Sequence, residues 1–583
     1  MSDRPKQPRA GKSSAPQREN PKPFSSMKMS STMQRRLIPV AVVAAVAFLI
    51  GAVAGASSGA AGESEVRSYA QAWGKGDWAT MYAQLTSSTQ KKVPLLDFAQ
   101  SNRTTLATAT ARENSVTTSE PKEIGDGHWQ IPVKIKTRIF GTVRGNVNVQ
   151  TAEDGDATKI AWTPSMAFPE LKPGQQLTRE TTMLERGTLL AKDGQVLATG
   201  ADRSSPITDV ASEVVGQLGP IPPERALEIN ALGIPPDAQV GTSGLELIFQ
   251  PQLAGLPEGT LRAGDRVIAR SSGAAGAKVR TTISPSVERA AIAAMSGRQG
   301  GIVALNPRNG AVDGFAGQAF SLLQPPGSTF KVITTAGALD AGIVSTKSTF
   351  PMQSAIELSG FSLSNAGGEV CGGSLAEAFA VSCNSVFAPL GAKLGSPRLV
   401  AVAQRFGFNH ESPIPGAAQS TIPLELGDEL NVGSSAIGQG EVQASALQMA
   451  IVAATIARHG KLVVPTLDQS VAERTKASSG SQAIKASTAR TIQQLMLGVV
   501  SGGTGTAAAI PGVAVAGKTG TAELRSPSEA PEDTDAWFIA FAPADKTRVA
   551  SNAVGVMFVG AGAGGETAAP AARGVLSAML AAR

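Results

Sequence analysis

Histidine, cysteine and tyrosine are nearly missing from this chain, which has three, two and two of them among 583 residues. His128, His410 and His459 are scattered, with no acidic or thiol companion at ligand spacing. They support no metal site, and no histidine base can be named for a serine triad. The two cysteines, Cys371 and Cys383, are too few for a disulfide-stapled fold or a zinc cluster. They leave two readings open: a single disulfide, if the compartment is oxidising, or two free buried thiols. Basic charge is also scarcer than the net +6 suggests, because residues 1–36 alone hold nine Lys or Arg against two acidic residues, leaving 43 basic against 44 acidic elsewhere. No general affinity for nucleic acid follows. Nucleotide binding is excluded too. Gly512 to Thr519 matches the Walker A pattern, but no buried strand precedes it, and Gly520 with the Pro- and acid-rich stretch beyond forbids the helix that must follow.

What the chain does have is three short strings in one order: Ser328-Thr329-Phe330-Lys331, then Ser382-Cys383-Asn384, then Lys518-Thr519-Gly520-Thr521. A bare S-x-x-K is cheap, since it recurs at Ser25 to Lys28 and at Ser88 to Lys91. The Ser328 copy differs because Pro325-Pro326-Gly327 precedes it and an apolar run follows it, which predicts a turn leading into a buried helix. Residues three apart share a helix face, so Lys331 comes within reach of the Ser328 hydroxyl. Burial would disfavour its ammonium form and make it a base. Ser382 to Asn384 is the sole S-x-N in the chain. A hydroxyl there can both accept and donate a proton, and an amide beside it can hold a carbonyl. The third string follows the apolar run Val513 to Ala516, which predicts a strand paired with Trp537 to Phe541. A strand edge bearing Lys518, Thr519 and Thr521 offers a cation and two hydroxyls to a carboxylate, and a backbone N–H to an oxyanion.

The full set resembles the penicillin-binding proteins, which share it with serine β-lactamases. Gly301 to Pro307 with Ala311-Val312 is similar to the family's first core strand pair, and Ile437-Gly438-Gln439-Gly440-Glu441 to the segment beneath the S-x-N loop. Glu185-Arg186-Gly187 and Val240 to Glu246 resemble pedestal motifs of class B members, with Lys192-Asp193 where many relatives have Asp-Arg. The resemblance implies a D,D-transpeptidase that cross-links peptidoglycan stem peptides and is acylated by β-lactam antibiotics. Ser328 would be the nucleophile and Lys331 its base. Ser382 would relay a proton, with Asn384 and Lys518 completing the catalytic set. Thr519, Gly520 and Thr521 would bind substrate. No cofactor or metal is implied; the further partners implied are the cytoplasmic membrane and glycosyltransferases of the cell-wall machinery. A D,D-carboxypeptidase, a β-lactamase or an inactive assembly scaffold would use the same strings. The lactamase reading lacks a Glu-x-x-Leu-Asn string, since Gly427 stands where glutamate would precede Leu430-Asn431.

The expected fold is multidomain α+β with a single N-terminal transmembrane helix. Residues 1–36 form a disordered basic cytoplasmic arm. Residues 37–56, twenty without a charge, form a retained anchor that places the rest outside the cytoplasm in a single pass; the alternative is that Ala54-Gly55-Ala56 is a cleavage site. Residues 63–170 read as helices then strands, with Trp129, Ile131, Val133 and Ile135 at the period of a half-buried strand. The ending Ala161 to Ser165 and Phe168-Pro169-Glu170 is similar to the NTF2-like domain of low-affinity class B members. A mixed pedestal, residues 171–285, and a transpeptidase domain, 286–583, with an antiparallel sheet flanked by helices, complete the chain.

Overall fold

The computed structural model describes residues 60–524, 534–545 and 547–582. By compactness the chain divides into two units, one of residues up to 100 with 118–132 and 148–162, the other of 101–117, 133–147 and everything from 163 onward.

In the first unit, helix Glu63–Lys75 buries Val66, Tyr69, Ala70 and Trp73, the three-and-four spacing of one helical stripe, and stops at Gly76 in the left-handed conformation. Phe98 and Trp162 meet edge to face, with centroids 5.1 Å apart. Strand His128–Thr137, of which residues 128–132 belong to this unit and 133–137 to the other, places Trp129, Ile131, Val133 and Ile135 all inside, as their alternation predicts. It belongs to a five-stranded sheet with Ala111–Thr118, Thr142–Asp154, Ala157–Ile160 and the short Lys122–Gly125.

The expectation of a membrane-crossing helix is corrected. Residues 37–56 lie outside the described residues, and among the described residues no helix is long and apolar enough to cross a membrane. The wholly buried helix Ala446–Ala457 has 12 residues. At 1.5 Å per residue that is about 18 Å, well short of a hydrocarbon core of about 30 Å. The fold described is therefore multidomain α+β without a membrane-spanning helix, and the single-pass location does not stand.

In the second unit, the two upstream strings converge although some sixty residues apart. Glu246, almost wholly buried, accepts from Arg186 Nε and Arg203 Nε, each at 2.7 Å. Two guanidinium groups make that burial tolerable. Where the Asp-Arg pair was missing, Lys192 reaches Asp313 at 2.8 Å, while Asp193 accepts from the Gln195 backbone N–H within its own turn.

The larger sheet of this unit contains strands β1 (Gly300–Leu305), β2 (Val312–Gly317), β3 (Ala516–Glu523), β4 (Thr534–Ala542) and β5 (Asn552–Phe558), in the order β2-β1-β5-β4-β3. Every pairing is antiparallel. All residues of β1, β4 and β5 are buried, because helices cover both faces. Val303, Trp537, Ile539, Phe541 and Met557 face one core; Ile302, Phe538, Ala540, Val554 and Val556 face the other. The first face packs against α1 (Lys331–Asp340), α2 (Leu375–Ala380), α3 (Asn384–Leu394) and α4 (Ala446–Ala457). Strands β2 and β3 are the two edges of this sheet, and β3 carries the third string.

Candidate active site

Strand β3 begins at Ala516, so Lys518 to Thr521 lie within it rather than after it. The apolar run Val513 to Val515 instead forms the approach, with Val513 in an isolated bridge to Ile510. Lys518 is paired with Ile539 and Thr521 with Ala536. The Walker A reading is thereby excluded by geometry: a strand stands where a phosphate loop needs a helix.

Ser328 sits in a 3-10 turn, Gly327–Phe330, that runs directly into α1. The turn is fixed by two close approaches. Gly327 has φ +51° and donates its N–H to Gly438 O at 2.9 Å. A Cβ on Gly438, itself at φ +77°, would come within 2.1 Å of Gly327 O. The Gly438 string thus works by backbone contact with the turn that carries Ser328.

Lys331, Ser382, Asn384 and Lys518 converge. Lys331 Nζ donates to Ser382 O and to Asn384 Oδ1, each at 2.6 Å, and lies 3.3 Å from Ser382 Oγ. Lys518 Nζ donates to Ser382 Oγ at 2.8 Å and to Thr519 O at 3.1 Å. Both lysine side chains are fully buried. Burial, and then the charge of Lys518, push the Lys331 pKa well below the usual lysine range. Burial brings Lys518 down to about 7. Phe387 and Phe379 lie beneath the two amines, each ring centroid 5.6 Å from its nitrogen. No carboxylate joins the cluster among the described residues: every hydrogen bond of the two amines goes to a carbonyl, amide or hydroxyl oxygen.

The donor count has a chemical consequence. Ser382 O and Asn384 Oδ1 can only accept, so they commit two hydrogens of Lys331. A neutral amine then has its lone pair left over. Lys518 donates into Ser382 Oγ, so the serine's own hydrogen is free to point elsewhere, with Lys331 Nζ the nearest base. The Ser328 hydroxyl is half-buried and makes no hydrogen bond among the described residues. Lys331 is thus engaged by the Ser382 loop, one step from the contact with Ser328 expected on helix spacing; such bonds commonly tighten only once substrate is bound. Asn384 also differs from expectation, since its Nδ2 already donates to Ser364 O at 3.0 Å.

On β3, Thr519 Oγ1 is 2.6 Å from Thr504 Oγ1, and Thr521 Oγ1 accepts from the Gly564 N–H at 3.3 Å. Thr504, Gly564, Phe379 and Phe387 escape the sequence reading. The two phenylalanines were findable: Phe387 stands three residues after Asn384 on α3, and Phe379 three residues before Ser382 near the end of α2. Thr504 and Gly564 carry no local signal, since their contacts span 15 and 43 residues.

Comparisons with known proteins agree with this geometry. Residues 290–577 match the penicillin binding protein transpeptidase domain, and 61–175 the NTF2-like N-terminal transpeptidase domain. The chain is 36% identical over 363 residues to the peptidoglycan D,D-transpeptidase PbpA of Mycolicibacterium smegmatis, covering 52% of this chain and 73% of that protein. To PbpA of Mycobacterium tuberculosis it is 37% identical over 291 residues, 45% of this chain and 56% of the other. Among solved structures, the ceftriaxone acyl-enzyme complex of penicillin-binding protein A from M. tuberculosis aligns with a TM-score of 0.53 at 28% identity, over 68% of this chain and 98% of that one. The D,D-transpeptidase domain from Eggerthella lenta aligns with a TM-score of 0.55 at 29% identity, over 69% and 99%. With its buried lysine pair around one serine hydroxyl and an NTF2-like region ahead of the catalytic sheet, the chain belongs to the class B penicillin-binding proteins.

Proposed function

We infer that this protein is a serine D,D-transpeptidase that cross-links peptidoglycan stem peptides through an acyl-enzyme and is acylated by β-lactams at the same serine. The observation that carries the reading is Lys331: fully buried, with two hydrogens committed to carbonyl oxygens and its basicity lowered, one turn after Ser328. Ser328 Oγ attacks the carbonyl of the penultimate D-alanine, forming a C–O bond, while its proton passes to the Lys331 lone pair. The backbone N–H groups of Ser328 and Thr521 receive the oxyanion, and Thr519 and Thr521 with Lys518 hold the terminal carboxylate. As the C–N bond breaks, Ser382 gives its proton to the departing amine and is resupplied from Lys331. An acceptor amine then attacks the ester and the sequence runs in reverse. A β-lactam follows the first half only, because its leaving nitrogen remains tethered to the acyl group.

Among the described residues no carboxylate stands beside the amines, which favours transfer to an amine over rapid hydrolysis, since activation of water lacks its usual base there. The test is fluorescent penicillin labelling of the full chain and of Ser328→Ala. The expected result is one slowly released label on the wild type and none on the variant at an unchanged melting temperature. Label retained by the variant, or released as fast as it forms, would sink the reading.

A further inference from the structure

The segment between Gln353 and Cys371 is tied to the Ser382 loop at three separate points. Cys371, on the short edge strand Cys371–Ser374, is disulfide-bonded to Cys383, with Cα atoms 5.8 Å apart. Asn365, nearly buried, accepts from the Ser385 N–H at 2.8 Å and donates to Gln353 O and Glu369 O, each at 2.8 Å. Ser364 O accepts from Asn384 Nδ2 at 3.0 Å. These tethers bracket a residue under strain. Ser382 has φ +63°, a left-handed conformation that is unfavourable for a non-glycine residue and persists only where its surroundings over-determine it. That kink is what turns the Ser382 carbonyl toward Lys331 and its hydroxyl toward Lys518. On the N-terminal side, Ser382 N donates to Phe379 O at 3.2 Å and Cys383 N to Ala378 O at 2.9 Å, while Ala380 O accepts from Thr504 N at 3.1 Å and from Thr504 Oγ1 at 3.4 Å.

We propose that the Cys371–Cys383 disulfide and Asn365 are positioning groups for acylation, holding Ser382 in its left-handed turn so that its carbonyl and the Asn384 amide fix the hydrogens of Lys331. The proposal rests on the acyl-enzyme reading given above. It makes the activity redox-dependent: a dithiol reductant transfers two electrons and two protons to the bridge and is itself oxidised to a cyclic disulfide, leaving Cys371 and Cys383 as thiols. With the bridge open, the loop can relax toward an unstrained φ and withdraw the Ser382 carbonyl. Strand β3 does not depend on the bridge, so carboxylate binding persists. Acylation should slow while non-covalent capture does not change.

The experiment uses the full chain and a fluorescent penicillin, resolving the binding constant from the first-order acylation rate in a concentration series. Oxidised wild type labels Ser328. After dithiothreitol, with two thiols counted per chain, the acylation rate falls at least about tenfold, as for a small displacement of a reacting group. The binding constant stays within about twofold, and reoxidation restores the rate. The Cys371→Ser/Cys383→Ser double variant shows the slow rate with or without reductant, and carries the comparison if the buried bridge resists dithiothreitol. Asn365→Ala in the oxidised protein slows the same step. A reduced protein or double variant acylating within about twofold of the oxidised rate overturns the proposal. So does a smaller labelled fraction at the full rate, which would mean the bridge only keeps the chain folded. Failure of the oxidised wild type to label at Ser328 is a different outcome, and it sinks the acyl-enzyme reading before any reductant is added.

Discussion

Replacing Lys518 by methionine keeps the length of a fully buried side chain while removing its amine, so it separates what that amine does for stability from what it does for chemistry. Its pKa is brought from 10.5 to about 7 by burial. Between those values the folded chain carries one proton fewer at this site than the unfolded chain. Stability therefore rises with pH across that window, at about 1.4 kcal/mol per unit. Below about pH 7 the ammonium is present in both states and its desolvation cost is undiminished. Methionine titrates nowhere, so the variant should lack this slope. From pH 7.5 to 9.5 the wild type should gain about 2.7 kcal/mol relative to Lys518→Met. The assay is a urea series at each pH, read by hydrogen-exchange protection of β4 and β5 in the full chain. Acylation by fluorescent penicillin, measured on the same samples, should fall by about a hundredfold or more. An equal pH slope in variant and wild type would refute the claim that Lys518 is buried as a weakly basic amine.

Acylation should rise with pH through the lowered pKa of Lys331, so its acid limb must lie well below 10.5, and Lys331→Arg, which cannot shed its proton, should abolish it. A stopped-flow pH profile checks this; a limb near the ordinary lysine value would contradict it. Gly438→Ala puts a methyl group 2.1 Å from Gly327 O at a left-handed φ, and should cost about 1–3 kcal/mol together with most of the acylation rate. Paired melting and labelling experiments decide it, and a variant active at the wild-type rate would show the nucleophile turn to be pliant. Glu288 is raised to about 8, chiefly by burial, with nearby Glu213 adding to the rise and the Phe315 N–H opposing it. In the fold it keeps a proton that the unfolded chain releases above about pH 4.5. Its contribution is thus complete below that value and lost as pH rises through 8. Glu288→Gln should flatten that decline in a pH series of urea midpoints, and an unchanged decline would place the titration elsewhere.

The catalytic sheet was legible because both its faces are buried, which turns β4 into the uninterrupted run Thr534 to Ala542 and makes its partner strand easy to place. The three strings were legible because each is local: Ser328 and Lys331 share one turn, and Lys518 to Thr521 one strand. What lay beyond reach is what depends on contact across sequence. Nothing near Ser382 announces a left-handed serine, since its φ is imposed by Cys371, Asn365 and Ser364 from the preceding segment. The hairpin Ala355–Leu358 with Phe361–Ser364 was missed because its strands are short and half-exposed. The pairing of the cysteines was undecidable from composition alone, and is resolved by the edge strand that brings Cys371 beside the loop.

Two amines around one hydroxyl is an arrangement that no isolated pair of lysines would adopt, since like charges and burial both oppose it. It persists because the doubly charged pair is disfavoured: burial and then the charge of Lys518 push Lys331 well below the usual lysine range, and burial brings Lys518 to about 7. The surrounding structure supplies the difference, through strands buried along their whole length and phenylalanine rings under both nitrogens. The direction of proton movement then follows from which atoms can only accept. Ser382 O and Asn384 Oδ1 hold the hydrogens of Lys331, Lys518 fills one acceptor site of Ser382 Oγ, and the remaining lone pair and hydroxyl hydrogen are the two free to move. Substituting either lysine by a residue of fixed charge, or Ser382 by one without a hydroxyl, breaks that order at one point while leaving Ser328 in place.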